Sequence, residues 1–184
     1  MTSSTQRRPA VFLDRDGTLI EDVDYLSSPE QIAVFDRSGD ALRLLKECGY
    51  VLVLISNQSG VGRGIFDEPT LKLINDTMIE KLGGLIDAVY YCPHRPEDNC
   101  RCRKPLTGMV EKAVSEMNID IANSWVVGDK KSDIETGFNA GTSTALVMTG
   151  YGEDELKRLD RMPDVVADDL LAAAHEICSR TESM

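Results

Sequence analysis

The sequence has no apolar run long enough to span a membrane. Residues 1–9, which precede the first apolar segment, contain no hydrophobic stretch of the kind that secretory signal peptides carry. We therefore expect a cytoplasmic protein without membrane contacts. In a reducing compartment of this kind, cysteines stay reduced or bind a metal.

An excess of positive charge is also missing, because the formal net charge is −11. This balance argues against nucleic acid as a partner, and any anionic substrate must be met by local positive charge. Internal repeats, low-complexity tracts, linkers and exposed apolar stripes are absent from the sequence as well. The 184 residues therefore predict one monomeric domain, 1–184, with a core at about residues 9–180.

Apolar runs and helical patterns alternate along the chain. Runs without polar alternation predict strands that are buried on both faces, at 11–13, 50–55, 88–91, 125–127, 144–148 and 165–167. Helical spacing predicts helices over 38–48, 68–82, 107–117 and 170–179. A capping box of Ser132 and Glu135 predicts the start of a further helix, which Gly141 ends. The alternation indicates a doubly wound α/β domain with a mostly parallel sheet, and the polar segment 22–29 predicts a flap over the strand ends.

Polar residues follow three of the predicted strands. They are Asp14 and Asp16 after the first, Ser56 and Asn57 after the second, and Asp129 and Asp133 after the fourth. Asp14 and Asp16 by themselves also fit an ordinary strand-to-turn junction, where they cap loop amides. In a parallel sheet, however, all these ends share one edge and can converge with the loop that carries Lys104. Carboxylates, a lysine, a hydroxyl and a hard cation together suit phosphoryl transfer.

The segments LDRDGT, ISNQSG, CRKP and VGDKKSD resemble the four ordered motifs of the haloacid dehalogenase superfamily of phosphatases. The resemblance covers roughly residues 11–150. It implies a Rossmann-like fold with a short flap, a zinc loop and no large cap domain. It also implies that Asp14 is the nucleophile, that Asp16 is the general acid and then the base, and that Ser56 and Lys104 hold the transferred phosphoryl group.

The same resemblance implies a catalytic Mg2+ ion. Its ligands are Asp14, the backbone carbonyl of Asp16, and Asp129. Asp133 then supports the metal site without direct contact.

Four soft or borderline metal ligands, Cys92, His94, Cys100 and Cys102, lie within eleven residues and suit a tetrahedral, structural Zn2+ ion. Their single-residue gaps differ from the spacing of common zinc fingers, and a disulfide or chance clustering are the alternatives. The Cys-x-His and Cys-x-Cys pairs resemble the zinc loop of one subgroup, which contains heptose bisphosphate phosphatases and histidinol-phosphatases. Cys48 and Cys178 lie on apolar helix faces, and we expect both to be ordinary buried thiols.

Local positive charge is concentrated in the same loop. Arg95 and Arg101 fit a solvated face as well as a binding site. The guanidinium fork of Arg103 suits a second phosphate, and the resemblance implies that Arg103 contributes to substrate recognition. It implies further substrate contacts from the flap residues Asp22, Val23, Asp24 and Tyr25, from Ser56, Asn57, Gln58 and Ser59, and from Lys104 and Lys130.

The resemblance implies a Mg2+-dependent phosphatase that removes the 7-phosphate of a heptose 1,7-bisphosphate through an aspartyl-phosphate, in nucleotide-activated heptose biosynthesis. Histidinol phosphate is the rival substrate, although the Asp-x-x-Tyr pattern at residues 22–25 resembles the heptose enzymes. A catalytically silent zinc-loop binding protein is a third possibility. The complete set of carboxylates speaks against it.

Overall fold

A computed structural model describes residues 7–181 of the chain. Its strands are β1 (Ala10–Leu13), β2 (Val51–Asn57), β3 (Ala88–Cys92), β4 (Trp125–Gly128), β5 (Ser143–Val147) and β6 (Val165–Ala167). They form one six-stranded sheet in the order β3-β2-β1-β4-β5-β6, and every neighbouring pair is parallel. The predicted parallel sheet is therefore confirmed. The strand order steps outward in both directions from β1, which places the ends of β1, β2 and β4 side by side.

The helices are α1 (Ser38–Glu47), α2 (Ser59–Gly62), α3 (Glu68–Lys81), α4 (Gly108–Met117), α5 (Lys131–Ala140), α6 (Gly152–Leu156) and α7 (Leu170–Thr181). The short helices α2 and α6 were not predicted. The capping box proposed for α5 is wrong, because the carboxylate of Asp133 accepts a hydrogen bond from the backbone N–H of Lys130 at 3.1 Å. The helix therefore begins at Lys131. It ends as expected at Gly141, whose φ of 78° is in the left-handed region.

Two apolar layers cover the sheet, which explains why its central strands contain no polar alternation. Val11 and Leu13 belong to the layer that includes residues of α1, α3 and α7. Phe12, which lies between them in the strand, belongs to the opposite layer with residues of α4. Because successive side chains of a strand point to opposite faces, burial of both faces requires apolar residues at every position.

The segment between β1 and α1 is short and contains one 3-10 turn, Pro29–Gln31. Isolated bridges join Ile20 to Asp16 and to Val34. This segment includes residues 22–29, which were predicted to form the flap, and no large cap domain is evident within residues 7–181. None of the helices in that range is long and apolar enough to cross a membrane.

The expectation that Cys48 and Cys178 are free thiols is wrong. A disulfide joins them, and their Cα atoms lie 5.9 Å apart although 130 positions separate them in sequence. Cys48 directly follows α1 and Cys178 lies in α7, and these helices pack against each other. Helical spacing places each cysteine on an apolar face, but it carries no information about which helix packs on that face.

Candidate active site

Three buried carboxylates meet at the carboxyl edge of the sheet. Asp14 follows β1, Asp129 follows β4, and Asp133 lies in the first turn of α5. One oxygen atom from each carboxylate lies within 4.8 Å of the others. Three negative charges at this distance repel one another, so the cluster requires a cation or bound protons.

Lys104 supplies one positive charge to this cluster. Its Nζ atom lies 2.5 Å from Oδ1 of Asp14 and 2.7 Å from Oδ1 of Asp133. It also donates to the backbone carbonyl of Ile55 at 2.9 Å. Burial alone lowers the pKa of Lys104, but the charges of Asp133 and Asp14 outweigh this effect and raise the pKa above its ordinary value. The ammonium group is therefore held in its charged form against the predicted nucleophile.

The chain at Lys104 is held by Asn57, the last residue of β2. The side-chain Oδ1 of Asn57 accepts from the backbone N–H of Lys104 at 3.0 Å, and its Nδ2 donates to the Lys104 carbonyl at 3.2 Å. Asn57 was predicted to bind substrate. Its amide is engaged on both sides by the backbone that carries the lysine, and the substrate contact stays a prediction.

Asp16 is held by a buried hydrogen-bond network that includes Arg15. Nε of Arg15 lies 3.1 Å from both carboxylate oxygens of Asp16. The Gln58 amide donates to Asp16 at 2.9 Å and to the Ser56 hydroxyl at 2.7 Å. Burial raises the pKa of Asp16, and the charge of Asp14 adds to this effect, whereas Arg15 opposes it. Sequence reasoning assigned no role to Arg15, although an arginine between two carboxylates at the end of a buried strand was a signal available in the sequence.

A cavity of about 180 Å³ opens beside Asp16. Its walls are Arg15, Asp16, the flap residues 22–26, residues 57–60, Phe66 and Lys130. Most of the predicted substrate-binding residues therefore line one cavity. Lys130 is fixed at its edge, because its Nζ lies 2.7 Å from Oδ2 of Asp22 and 5.2 Å from the centroid of the Tyr151 ring.

Several predicted site residues do not line this cavity. Asp14, Ser56 and Lys104 are at most 5% exposed and lie among the buried groups. Arg103 is half-buried in the adjacent loop, where its Nη1 donates to the carbonyl of His94 at 3.3 Å. Arg95 forms a 2.9 Å ion pair with Asp98 at the surface.

The Cys/His cluster comes together in the loop after β3. Sγ of Cys102 lies 3.1 Å from Sγ of Cys92, 3.5 Å from Sγ of Cys100 and 3.3 Å from Nδ1 of His94. The three cysteines are free, which removes the disulfide alternative. Sulfur atoms bound to one tetrahedral Zn2+ lie about 3.7 Å apart, given a Zn–S distance of about 2.3 Å. The four ligand atoms therefore surround a volume close to that of a zinc site.

Comparisons with known proteins agree with this geometry. A family model described as HAD-hydrolase-like, where HAD denotes haloacid dehalogenase, matches residues 101–173. The D-glycero-beta-D-manno-heptose-1,7-bisphosphate 7-phosphatase of Yersinia pestis is 43% identical over 157 residues, which cover 79% of this chain and 84% of that protein. The enzyme of the same name from Bordetella bronchiseptica is 37% identical over 173 residues, which cover 91% and 96%. This chain belongs to the haloacid dehalogenase-like phosphatases.

A solved structure of this phosphatase family supports the fold over most of the chain. The D,D-heptose 1,7-bisphosphate phosphatase from B. bronchiseptica, in complex with magnesium and phosphate, superposes with a TM-score of 0.87 at 35% identity. The match covers 94% of this chain and 99% of the other. The relative with the same fold therefore binds a divalent cation and an anion of the type that the carboxylate and lysine cluster suits.

The buried carboxylates of this phosphatase fit a hard cation. Oδ2 of Asp129 accepts from the backbone N–H of Tyr151 at 2.9 Å, whereas its buried Oδ1 has no hydrogen-bond partner among residues 7–181. A Cβ atom added at Gly17 would lie 2.2 Å from Oδ2 of Asp129, so only glycine leaves room for this carboxylate. Burial, reinforced by the charge of Asp14, raises the pKa of Asp129 to about 8. An uncompensated buried carboxylate oxygen is the ligand that Mg2+ prefers.

Asp133 is engaged differently from Asp129. One of its oxygens is paired with Lys104, and the other accepts from the backbone N–H of Lys130. Burial raises the pKa of Asp133 to about 6, although the charge of Lys104 opposes the increase. Oδ1 of Asp133 has no hydrogen-bond partner among residues 7–181, but it lies 2.7 Å from the ammonium nitrogen of Lys104, which offsets its charge. This pairing suits a residue that orients the metal site without binding the metal.

Proposed function

We propose that this phosphatase removes the 7-phosphate of D-glycero-D-manno-heptose 1,7-bisphosphate and leaves the 1-phosphate in place. The observation that carries the proposal is the buried contact between Lys104 and Asp14, next to two further carboxylates and a cavity lined by the flap. The names of the relatives from Y. pestis and B. bronchiseptica support the substrate and favour its β anomer.

In the proposed first step, an oxygen of Asp14 attacks the phosphorus atom while the bond from phosphorus to the sugar oxygen breaks. Asp16 donates a proton to that leaving oxygen, and its raised pKa supports this role. In the second step, water attacks the aspartyl-phosphate, Asp16 accepts the proton of the water, and inorganic phosphate leaves. Asp14 is thereby restored.

Charge on the transferred phosphoryl group is offset by Lys104 and by the hydroxyl of Ser56. Mg2+, held by Asp14, by the backbone carbonyl of Asp16 and by Asp129, supplies further compensation for that charge when it is bound. Asp133, 2.7 Å from the same ammonium nitrogen, helps to hold Lys104 in place. This division of roles explains why the three carboxylates lie together although only one attacks the substrate.

The remainder of the substrate occupies the cavity beside Asp16. We assign its sugar contacts to Asp22, Val23, Asp24 and Tyr25, and the contacts to its phosphate to Ser59 and Lys130. Gln58 lines the cavity, but its amide is occupied by Asp16, Ser56 and Arg15. Asn57 also lines the cavity, but its amide is occupied by the backbone of Lys104. Arg103 is assigned to the second phosphate, since its described hydrogen bond at 3.3 Å goes to a neutral carbonyl, and an anionic phosphate is the stronger acceptor for a guanidinium group.

We further propose a structural Zn2+ ion bound by Cys92, His94, Cys100 and Cys102, which replaces an apolar core in that loop. Residues 1–184 then act as one monomeric domain on a small phosphorylated sugar and not on nucleic acid. The single sheet supports one domain, and the net charge of −11 disfavours nucleic acid as a partner. We place the reaction in the cytoplasm, because a reducing compartment suits the three free loop cysteines; the Cys48–Cys178 disulfide is the exception to this expectation.

Steady-state kinetics on both anomers of the heptose bisphosphate and on histidinol phosphate test the substrate. We expect the highest kcat/KM on the β-bisphosphate. Preference for histidinol phosphate would overturn the assignment.

The second-phosphate contact is tested by Arg103→Ala, with Arg101→Ala in the same loop as the matched control. Loss of a charge-assisted contact lowers kcat/KM on the bisphosphate by roughly ten- to a hundredfold. A small monophosphate, which does not reach the arginine, loses much less. An equal loss on both substrates would contradict the role of Arg103.

A further inference from the structure

We propose that Arg15 is a positioning residue that holds the carboxylate of Asp16 in the orientation needed for proton transfer. The proposal deepens the proposed function and rests on the acid–base role given to Asp16 there. Arg15 lines the same cavity but is only 1% exposed, so it acts through Asp16 and not by a direct charge on the substrate.

One side of the guanidinium group faces Asp16. Its Nε lies 3.1 Å from both carboxylate oxygens, and its Nη2 lies 3.0 Å from Oδ1. Two nitrogens of one planar group therefore contact one planar carboxylate. This arrangement restricts rotation of the carboxylate in a way that a point charge such as lysine does not.

The other side of the guanidinium group is anchored to the protein. Nη1 donates to Oδ1 of Asn75 in α3 at 3.1 Å, and Nη2 donates to Oε1 of Gln58 at 3.0 Å. Asn75 and Gln58 are themselves buried, at 5% and 6% exposure. The arginine is thus fixed to a helix that lies outside the phosphoryl-transfer cluster, and Asp16 is fixed to the arginine.

Gln58 closes the network, because its amide nitrogen donates to Asp16 while its oxygen accepts from Arg15. The carboxylate of Asp16 therefore cannot turn without breaking contacts to both neighbours. A fully satisfied buried network of this kind is rigid, and such rigidity holds a catalytic group close to its productive geometry. Burial of an unpaired guanidinium group lowers the stability of the fold, but the ion pair with Asp16 is sufficient to compensate the charge of Arg15. Charge compensation therefore does not require the further hydrogen bond to Asn75. The additional tether to α3 supports a positioning role.

This role has a consequence that a purely structural role lacks. A poorly oriented Asp16 harms proton donation, and proton donation matters only when the leaving oxygen needs a proton. A sugar alkoxide needs one, whereas the phenolate released from p-nitrophenyl phosphate is stable without one. Substitution of Arg15 should therefore slow the reaction that releases a sugar alkoxide more than the reaction that releases p-nitrophenolate.

The experiment compares kcat/KM on heptose 1,7-bisphosphate and on p-nitrophenyl phosphate for Arg15→Lys and Asn75→Ala, with thermal unfolding to verify the fold. Asn75→Ala removes the tether without touching Asp16, and Asp76→Asn, its exposed neighbour on α3, is the matched control. For Arg15→Lys we expect a loss of roughly ten- to a hundredfold on the bisphosphate, part of the usual contribution of general acid catalysis. A smaller loss in the same direction is expected for Asn75→Ala. The kcat/KM on p-nitrophenyl phosphate should change by less than about threefold, because it excludes hydrolysis of the aspartyl-phosphate, the step in which Asp16 is the base for either substrate.

Asp16→Asn serves as the reference and should show the largest selective loss. If it is selective while Arg15→Lys and Asn75→Ala lower both activities equally, or lower neither, the role of Arg15 is overturned and the proposed function stands. If Asp16→Asn itself lowers both activities equally, the acid role of Asp16 is overturned together with that of Arg15.

Discussion

The side chain of Asn57 pairs with the backbone of Lys104 by two hydrogen bonds, one accepted at 3.0 Å and one donated at 3.2 Å. The pair connects the end of β2 to the loop that follows the Cys/His cluster. Since Lys104 Nζ also contacts Asp14, this contact helps to set the position of the ammonium group relative to the predicted nucleophile. Asn57, which was predicted to contact substrate, therefore also positions Lys104.

Substitution of Asn57 by alanine should reduce kcat more than it raises KM. Two neutral hydrogen bonds contribute about 1 kcal/mol each, so a decrease of roughly tenfold to thirtyfold is expected. Steady-state kinetics on the bisphosphate measures it. Asn123→Ala, which removes a surface contact to Asp120, is the control and should leave kcat unchanged. A rise in KM alone would show that Asn57 binds substrate directly.

Replacement of Asp14 by asparagine should lower kcat by at least roughly a thousandfold, because an amide is a poor nucleophile toward phosphorus. The fold should survive, since the substitution removes one of three mutually repelling carboxylates. Turnover and thermal unfolding of the variant test both points, with Asp40→Asn on the exposed face of α1 as control. Near-normal activity of Asp14→Asn would contradict the proposed mechanism.

Metal analysis of protein purified without chelator should find about one zinc ion per chain, as one Cys3His site requires. Cys102→Ser should lose that zinc, unfold at lower temperature and lose activity, since Lys104 lies two residues away. Cys178→Ser should retain the zinc and the activity, and it is the matched control for these two readouts. A wild-type protein that contains no zinc, with its three loop thiols reactive, would contradict the zinc site.

Affinity for Mg2+ should depend on pH. The pKa of Asp129 is raised to about 8 by burial and by Asp14 in the metal-free protein, so below that pH Mg2+ must displace a proton. Affinity should rise from about pH 6.5 to about pH 8.5, by up to about tenfold per unit below the pKa, and then level off. Calorimetric titration with Mg2+ measures this, and a flat profile would contradict it.

The same raised pKa has a consequence for stability. The unfolded chain releases the proton of Asp129 at a lower pH than the folded protein does. Ionisation of this group therefore favours unfolding of the metal-free protein as pH rises towards 8. Saturating Mg2+ should therefore raise the unfolding temperature more at about pH 8 than at about pH 6.5, and thermal unfolding at both pH values can show this. Asp129→Asn should abolish this difference in Mg2+ stabilisation between the two pH values.

The disulfide between Cys48 and Cys178 should stabilise the packing of α1 on α7. Its removal typically lowers the free energy of unfolding by about 2–4 kcal/mol. Cys178→Ser should show this loss in urea denaturation under oxidising conditions, and a phosphine reductant should lower the stability of wild type but not of the variant. Ser179→Ala is the control. Equal stability of wild type and variant without reductant would contradict the prediction.

Much of the fold and part of the site followed from the sequence because the responsible signals are local. An apolar run such as 51–55 is long enough to predict a strand buried on both faces. The polar residue directly after a strand must lie at its carboxyl end, and a parallel sheet places those ends together. Asp14, Asp129 and the Cys/His loop were found in this way, since each is defined by its immediate neighbours in the chain.

Tertiary structure alone decided which side chains become partners across the sheet edge. The contact of Arg15 with Asn75 spans 60 positions, and that of Lys104 with Asp14 spans 90. The disulfide spans 130 positions and depends on α1 and α7 lying side by side. Local spacing specifies the face on which a residue lies, but a hydrogen bond also requires a partner within about 3 Å. That distance is set by how helices pack on the sheet, and no local pattern in the chain encodes it.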